Sequence, residues 1–74
     1  MNKEDKLYFL NKQLASATSE SEDFNMLFEF LDTMNTEDVP NFYAGLLPVE
    51  TEILASVTNK IAWLQEKIQE IEAE

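Results

Sequence analysis

The stretch that decides the fold is LASVTNKIAWLQEKIQEI, residues 54–71. Its apolar residues recur at alternating intervals of three and four, the heptad spacing of a helix that packs along one seam. These seam residues are Leu54, Val57, Ile61, Leu64, Ile68 and Ile71. Pro48 suits a first helical turn, and Glu50 and Glu52 follow it at the positive end of the helix dipole. We therefore predict one long C-terminal helix from Pro48 to about Glu74.

The seam can be covered in two ways. Isoleucine at the first heptad position with leucine at the fourth favours a parallel two-stranded coiled coil, in which Lys67 of one helix can meet Glu72 of the other. At about 1.5 Å per residue the helix would reach roughly 40 Å, nearly twice the length predicted for the helices before it. This difference favours a homodimer through the seam. In the alternative, the same stripe packs on the earlier helices within a monomer.

The N-terminal region predicts a first short helix. Asn2 is a residue type that caps helix N-termini, because its side chain can accept a hydrogen bond from a free backbone amide. The apolar positions of this helix recur at three and four, and they are Leu7, Leu10 and Leu14. The helix is expected to end between Ala15 and Thr18, where the polar residues 16–21 predict a turn.

A second short helix is expected over Glu20 to Met34. Ser19 and Glu22 have the capping-box spacing, in which a hydroxyl and a carboxylate satisfy the free amides of a new helix. The apolar face of this helix is formed by Phe24, Leu27, Phe28, Leu31 and Met34. The opposite face carries Glu22, Asn25, Glu29 and Asp32. The sequence thus predicts a helix that buries one side and displays acid on the other.

Between the second and third helices, Pro40, Gly45 and Pro48 interrupt the helical pattern. One short helical turn is expected from Asp38 or Val39 to Ala44, with Gly45 ending it in a left-handed conformation. Phe42 and Tyr43 in this turn are expected to cover the core. Trp63, beside the seam, is likewise expected to pack on the core, since large aromatic side chains are mostly buried in small domains.

The predicted fold is therefore all-α: a small helical domain with two short helices, a loop or short helical turn, and a long C-terminal helix. Seventy-four residues make one domain, 1–74, which buries only about 60% of its unfolded surface when it folds alone. The chain has no cysteine and no histidine, so neither disulfides nor a typical metal centre can reinforce it. Association with another chain is the remaining means of stabilisation.

The charge distribution is the strongest functional clue. The net charge is −10, from 15 acidic residues and five lysines, with no arginine. Between Gln13 and Asn59 there is no lysine, while nine carboxylates occur: Glu20, Glu22, Asp23, Glu29, Asp32, Glu37, Asp38, Glu50 and Glu52. Such a surface repels nucleic acid and anionic lipid and attracts basic proteins.

The residue types also argue against several functions. Without histidine or cysteine, the usual general bases and activated nucleophiles are missing, so we do not expect an enzyme. No calcium-loop or phosphate-binding motif occurs, and we expect neither a metal nor a cofactor. Direct nucleic-acid binding would need a basic patch, which is absent. No apolar run approaches the roughly 20 residues needed to span a bilayer, and no signal-peptide core is present, so we expect a soluble cytoplasmic protein that does not enter membranes.

Two functions remain. In the first, the acidic surface imitates a phosphate backbone and inhibits a basic, nucleic-acid-binding protein such as a nuclease, a repair enzyme or a polymerase. The predicted partner-binding residues are Glu20, Glu22, Asp23, Glu29, Asp32, Glu37 and Asp38. In composition alone, the chain resembles the small acidic inhibitors used by bacteriophages and mobile elements. In the alternative, the acid only solvates the helices, and the protein is an adaptor, assembly chaperone or antitoxin that binds mainly through hydrophobic contacts. Its binding energy is then expected to reside in exposed apolar residues such as Met26, Phe30, Phe42, Tyr43 or Trp63.

Overall fold

The computed structural model describes all 74 residues and contains only helices and their connections. Helix α1 spans Lys3–Leu31, the short helix α2 spans Asn41–Ala44, and helix α3 spans Glu50–Glu72. Two 3₁₀ turns, Thr36–Asp38 and Leu47–Val49, lie in the connection. Helices α1 and α3 pack against each other as an antiparallel hairpin measuring 53 × 16 × 16 Å. The all-α prediction is confirmed.

The prediction of two short N-terminal helices is wrong, because α1 continues through residues 16–21 without a break. No glycine or proline interrupts this stretch. Side chains in and just after this stretch bond back to the helix: Thr18 Oγ1 donates to the Leu14 carbonyl at 2.9 Å, and Asn25 Nδ2 donates to the Ser21 carbonyl at 2.8 Å. Only the capping role of Asn2 is confirmed, with the Asp5 amide donating to its Oδ1 at 2.8 Å.

The packing of α1 explains its length. Its inward positions alternate at three and four from one end to the other, and they are Leu7, Leu10, Leu14, Ala17, Ser21, Phe24, Phe28 and Leu31. Ala17, which the sequence reading placed in a turn, is only 3% exposed. A small residue at this position keeps the heptad register while allowing α3 to approach, so the seam of α1 matches the seam of α3.

Helix α3 begins two residues later than predicted, since Pro48 lies in the preceding 3₁₀ turn. Its seam packs on α1 within the same chain: Val57, Leu64, Ile68 and Ile71 are buried, and Leu54 and Ile61 are partly buried. The length argument for a homodimer is wrong, because α1 has 29 residues and α3 has 23. The intramolecular alternative describes how the seam is covered in the chain.

The connection after α1 folds back onto the end of the hairpin. Val39 is buried at 8% exposure, whereas Phe42 is 74% exposed and does not cover the core as predicted. Its neighbour Tyr43 is half-buried and packs on the core, with the two rings edge to face at 4.6 Å between centroids. Gly45 has φ −67°, so the predicted left-handed end of the short helix is wrong.

Two hydrophobic cores follow each other along the hairpin. We define the terminal half as residues 1–19 and 59–74, and the loop half as residues 20–58. The core of the terminal half is aliphatic and contains Leu10, Ala17, Leu64, Ile68 and Ile71. The core of the loop half is centred on Phe28, Leu31 and Val39, with Phe24, Leu27, Met34, Tyr43 and neighbours packed around them. None of the helices has a stretch apolar and long enough to cross a bilayer.

Candidate protein-binding surface

The seven predicted partner-binding residues all lie in the loop half, but they do not share one face. Glu20, Glu22, Asp23 and Glu29 are on α1, Asp32 follows its last turn, and Glu37 and Asp38 are in the first 3₁₀ turn. Glu20 is half-buried, and the other six are exposed. At 3.6 residues per turn, Glu22, Glu29 and Asp32 fall on one flank of α1, while Glu20 and Asp23 fall on the other.

Two exposed apolar residues separate the acidic flanks. Met26 is 68% exposed and Phe30 is 62% exposed, and their i, i+4 spacing places them side by side on the outer face of α1. The adaptor alternative predicted that both residues are exposed, and their exposure is confirmed. Exposed aromatic and methionine side chains are enriched in protein interfaces, so this outer face combines apolar anchors with surrounding negative charge.

Of all nine carboxylates in the loop half, only Glu20 forms an ion pair. Lys60 Nζ lies 3.2 Å from Glu20 Oε1, and this bridge between α3 and α1 joins the two halves. The other ion pair of the chain, Lys67 with Glu70 at 2.9 Å, lies in the terminal half. Most of the negative charge of the loop half is therefore left for solvent or for a partner.

A shallow open groove lies next to the Lys60–Glu20 bridge. Its lining combines an apolar floor with hydroxyl and carboxylate groups: Ser16, Ser19, Glu20, Asp23, Phe24, Leu27 and Tyr43. The groove depends on the continuity of α1 and on the connection, because Tyr43 of the connection lines it together with Phe24 and Leu27 of α1. The sequence reading missed it, although the uninterrupted heptad register of α1 was the signal that could have placed Ser16 and Ser19 on a helix.

Trp63 is also exposed, at 55%, so its predicted packing on the core is wrong. The ammonium group of Lys67 lies 5.7 Å from the centre of the indole ring, a cation–π arrangement on the surface of α3. Trp63 lies between the seam residues Ile61 and Leu64 in sequence, but at 3.6 residues per turn its side chain points away from the seam. Its exposure adds an apolar contact site to the terminal half.

The comparisons with known proteins give no relative. The chain matches no protein-family model, and no curated protein or solved structure is significantly similar to it. The side chains contain no group of three acidic residues close enough together to hold a metal ion. The surface is therefore interpreted from its own charge, shape and apolar residues.

Proposed function

We propose that this protein is a small acidic inhibitor that binds a basic, nucleic-acid-binding protein through its loop half. The observation that carries the proposal is the separation of charge along the hairpin. The loop half has nine carboxylates and no lysine, whereas the terminal half has six carboxylates and five lysines. Nearly the whole net charge of −10 thus belongs to one end of a helical rod.

The density of this charge supports imitation of a phosphate backbone. Residues 3–19 occupy about 25 Å of the 53 Å long axis at ~1.5 Å per residue, which leaves roughly 27 Å for the loop half. Nine carboxylates over that length correspond to about one charge per 3 Å, close to the roughly 3.4 Å spacing of phosphates along one DNA strand. Because the carboxylates lie on more than one face, the similarity is one of charge per unit length, and it supports attraction to a surface that holds a nucleic-acid strand.

The chain also exposes more surface than a compact protein of its size. A globular chain of 8.6 kDa would expose about 4,700 Å², and this chain exposes 5530 Å². The difference of roughly 800 Å² is similar to the area that each partner buries in a standard interface. This supports a binding function, and we further propose that it is exerted in the cytoplasm, without catalysis and without a cofactor.

A second candidate is an adaptor, assembly chaperone or antitoxin that binds mainly through apolar contacts. The observation that favours it is the set of exposed large apolar residues, which includes Tyr8, Phe9, Met26, Phe30, Phe42 and Trp63. Binding energy at interfaces is concentrated in a few such anchors. These apolar residues occur in both halves, however, whereas nearly all of the excess negative charge lies in the loop half. The charge is therefore the better guide to which surface binds.

We also propose the predicted homodimer, which requires a change in how the seam of α3 is covered. Since α1 already covers the seam, pairing two α3 seams in a coiled coil would require each α3 to leave its own α1. Sedimentation velocity over a range of concentrations tests this. A dimer supports the proposal, and a monomer at every concentration contradicts it.

The inhibitor proposal is tested by capture from a bacterial lysate. The tagged protein is bound to a resin, and one arm is washed with increasing salt while the other is challenged with excess duplex DNA. We expect capture of a basic protein that is released by both treatments, because screening and competition act on the same charges. A partner that survives high salt and ignores DNA would overturn the inhibitor proposal and support the adaptor.

A further inference from the structure

The groove beside the Lys60–Glu20 bridge suggests what kind of side chain the partner inserts. Its floor is formed by Phe24, Leu27 and Tyr43, and its acidic wall is formed by Glu20 and Asp23, one turn apart on α1. Asp23 forms no ion pair, and Lys60 contacts only one carboxylate oxygen of Glu20. An apolar stem and a positively charged head are therefore needed to fill the groove.

We propose that this groove receives one arginine side chain of the protein partner. The proposal rests on the proposed function and specifies the chemistry of the partner at this point. The planar guanidinium group carries five donors, so it can bond Asp23 and the free oxygen of Glu20 together, and it stacks on an aromatic ring such as Tyr43. A lysine ammonium is a compact point charge that lacks both properties.

The local charge also fits a single arginine. Glu20, Asp23 and Lys60 together carry one net negative charge, which one guanidinium group neutralises. Lys60 lies 3.2 Å from one carboxylate oxygen of Glu20 and therefore competes with an incoming guanidinium group for this carboxylate.

A second copy of this chain is a poor occupant for the groove. The chain contains no arginine at all, and two copies that each carry a net charge of −10 repel each other. Nucleic acid and anionic lipid are disfavoured for the same electrostatic reason. A basic segment of a different protein is the occupant whose charge complements the loop half.

The test uses a short amphipathic peptide with arginines on its polar face, and a second peptide in which lysine replaces every arginine. Affinities are measured by fluorescence anisotropy, and the contact site is mapped by backbone amide NMR shifts on the full chain. We expect the shifts to concentrate at residues 16–27 and at Tyr43. We also expect the lysine peptide to bind several-fold more weakly, because it loses the forked hydrogen bonds.

Three variants make the test specific. Asp23→Asn removes a charged acceptor from the groove and is expected to weaken binding about tenfold, the effect of one charge-assisted hydrogen bond. Glu29→Gln removes the same charge from the opposite flank of α1 and should change the affinity less than about twofold, as screened surface charges do. Lys60→Gln frees Glu20 for the peptide and is expected to tighten binding.

The results separate this proposal from the proposed function. Equal losses for Asp23→Asn and Glu29→Gln, equal binding of the two peptides, or shifts spread over the whole loop half would overturn the groove proposal. In those cases the loop half would still attract basic proteins by its charge, and the inhibitor proposal would stand. Capture of a salt-resistant partner from lysate would instead overturn the inhibitor proposal itself.

Discussion

The two halves of the hairpin use different residues to solve the same packing problem. The terminal half has an aliphatic core and a nearly balanced surface, in which five lysines accompany six carboxylates. The loop half has a core that mixes aromatic and aliphatic side chains, and it has nine carboxylates without a lysine. Since the terminal half shows that this hairpin can be solvated with balanced charge, the excess acid of the loop half is not required by the fold. It is the feature for which a function must be sought.

The largest expected effect comes from the core of the loop half. Phe28 is 3% exposed, and Phe28→Ala should lower the free energy of unfolding by about 3–5 kcal/mol through lost burial and the cavity left behind. Leu64→Ala is the matched change in the terminal half, at 5% exposure, and should cost about 2–5 kcal/mol. Urea unfolding followed by circular dichroism measures both.

Because α1 runs through both cores, each variant should still unfold in one transition. Two separate transitions would mean that the halves unfold independently, which would contradict the description of the chain as one cooperative domain.

The next effect tests the point where the halves meet. Ala17 is 3% exposed, so Ala17→Leu should destabilise the chain by about 1–3 kcal/mol by forcing the helices apart. Ala15 is exposed on the same stretch of α1, and Ala15→Leu should change stability by less than about 0.5 kcal/mol. Equal, small effects in thermal melts would indicate that residues 16–21 form the turn that the sequence first suggested.

A smaller effect is expected at the N-terminus of the terminal half. Asn2→Ala removes the side chain that accepts the Asp5 amide, and it should cost about 1 kcal/mol. Asn2→Asp retains an acceptor and adds favourable charge near the helix dipole, so it should be neutral or stabilising. A thermal melt in which both variants lose equal stability would show that the cap contributes nothing.

Salt should reveal the charge imbalance directly. Screening weakens the repulsion among the loop-half carboxylates, so added salt should raise the melting temperature, by about 4–8 °C for each 1 kcal/mol gained. Neutralising Glu29 and Asp32 as Glu29→Gln/Asp32→Asn should flatten this dependence. The matched variant Glu66→Gln/Glu72→Gln should keep a steeper dependence of the melting temperature on salt than the loop-half variant. Identical slopes would mean that the imbalance has no energetic consequence.

The smallest effect concerns the exposed Lys67–Glu70 pair of the terminal half. The hydrogen bond from Lys67 to Glu70 raises the pKa of the Lys67 ammonium above its ordinary value. Because this pKa is higher in the folded chain, the pair contributes its full stabilisation at pH values below the unfolded-state pKa of about 10.4. This contribution to stability disappears as the pH rises through the folded-state pKa.

Glu70→Gln should therefore lower the pKa of Lys67, as followed by NMR of its side chain, while stability at neutral pH stays unchanged. A pKa that does not move would show that the pair is not formed in solution.

The sequence predicted α3 well and α1 badly, for a physical reason. Every seam position of α3 carries Leu, Ile or Val, so the heptad is visible in the residue types. In α1 two seam positions are occupied by Ala17 and Ser21, which look like part of a polar turn when only local preference is considered. Their role depends on the close approach of α3, which is a tertiary effect.

The candidate surface could be predicted only in part. The acidity and general exposure of residues such as Glu22 and Glu29 follow from composition and helical spacing. Their separation into two flanks requires the correct helix register, and the groove requires the packing of Tyr43 from a distant segment. Contacts between segments that are far apart in sequence are not encoded in any local pattern.

The measurement that tests the central claim most directly compares charge reversal in the two halves. Glu29→Lys/Asp32→Lys changes the loop half, and Glu66→Lys/Glu72→Lys makes the same change of net charge in the terminal half. Both variants replace exposed residues, and circular dichroism verifies that they fold. We predict that the loop-half variant no longer captures the basic partner from lysate while the terminal-half variant does. Equal capture by the two variants would contradict the assignment of the binding surface to the loop half.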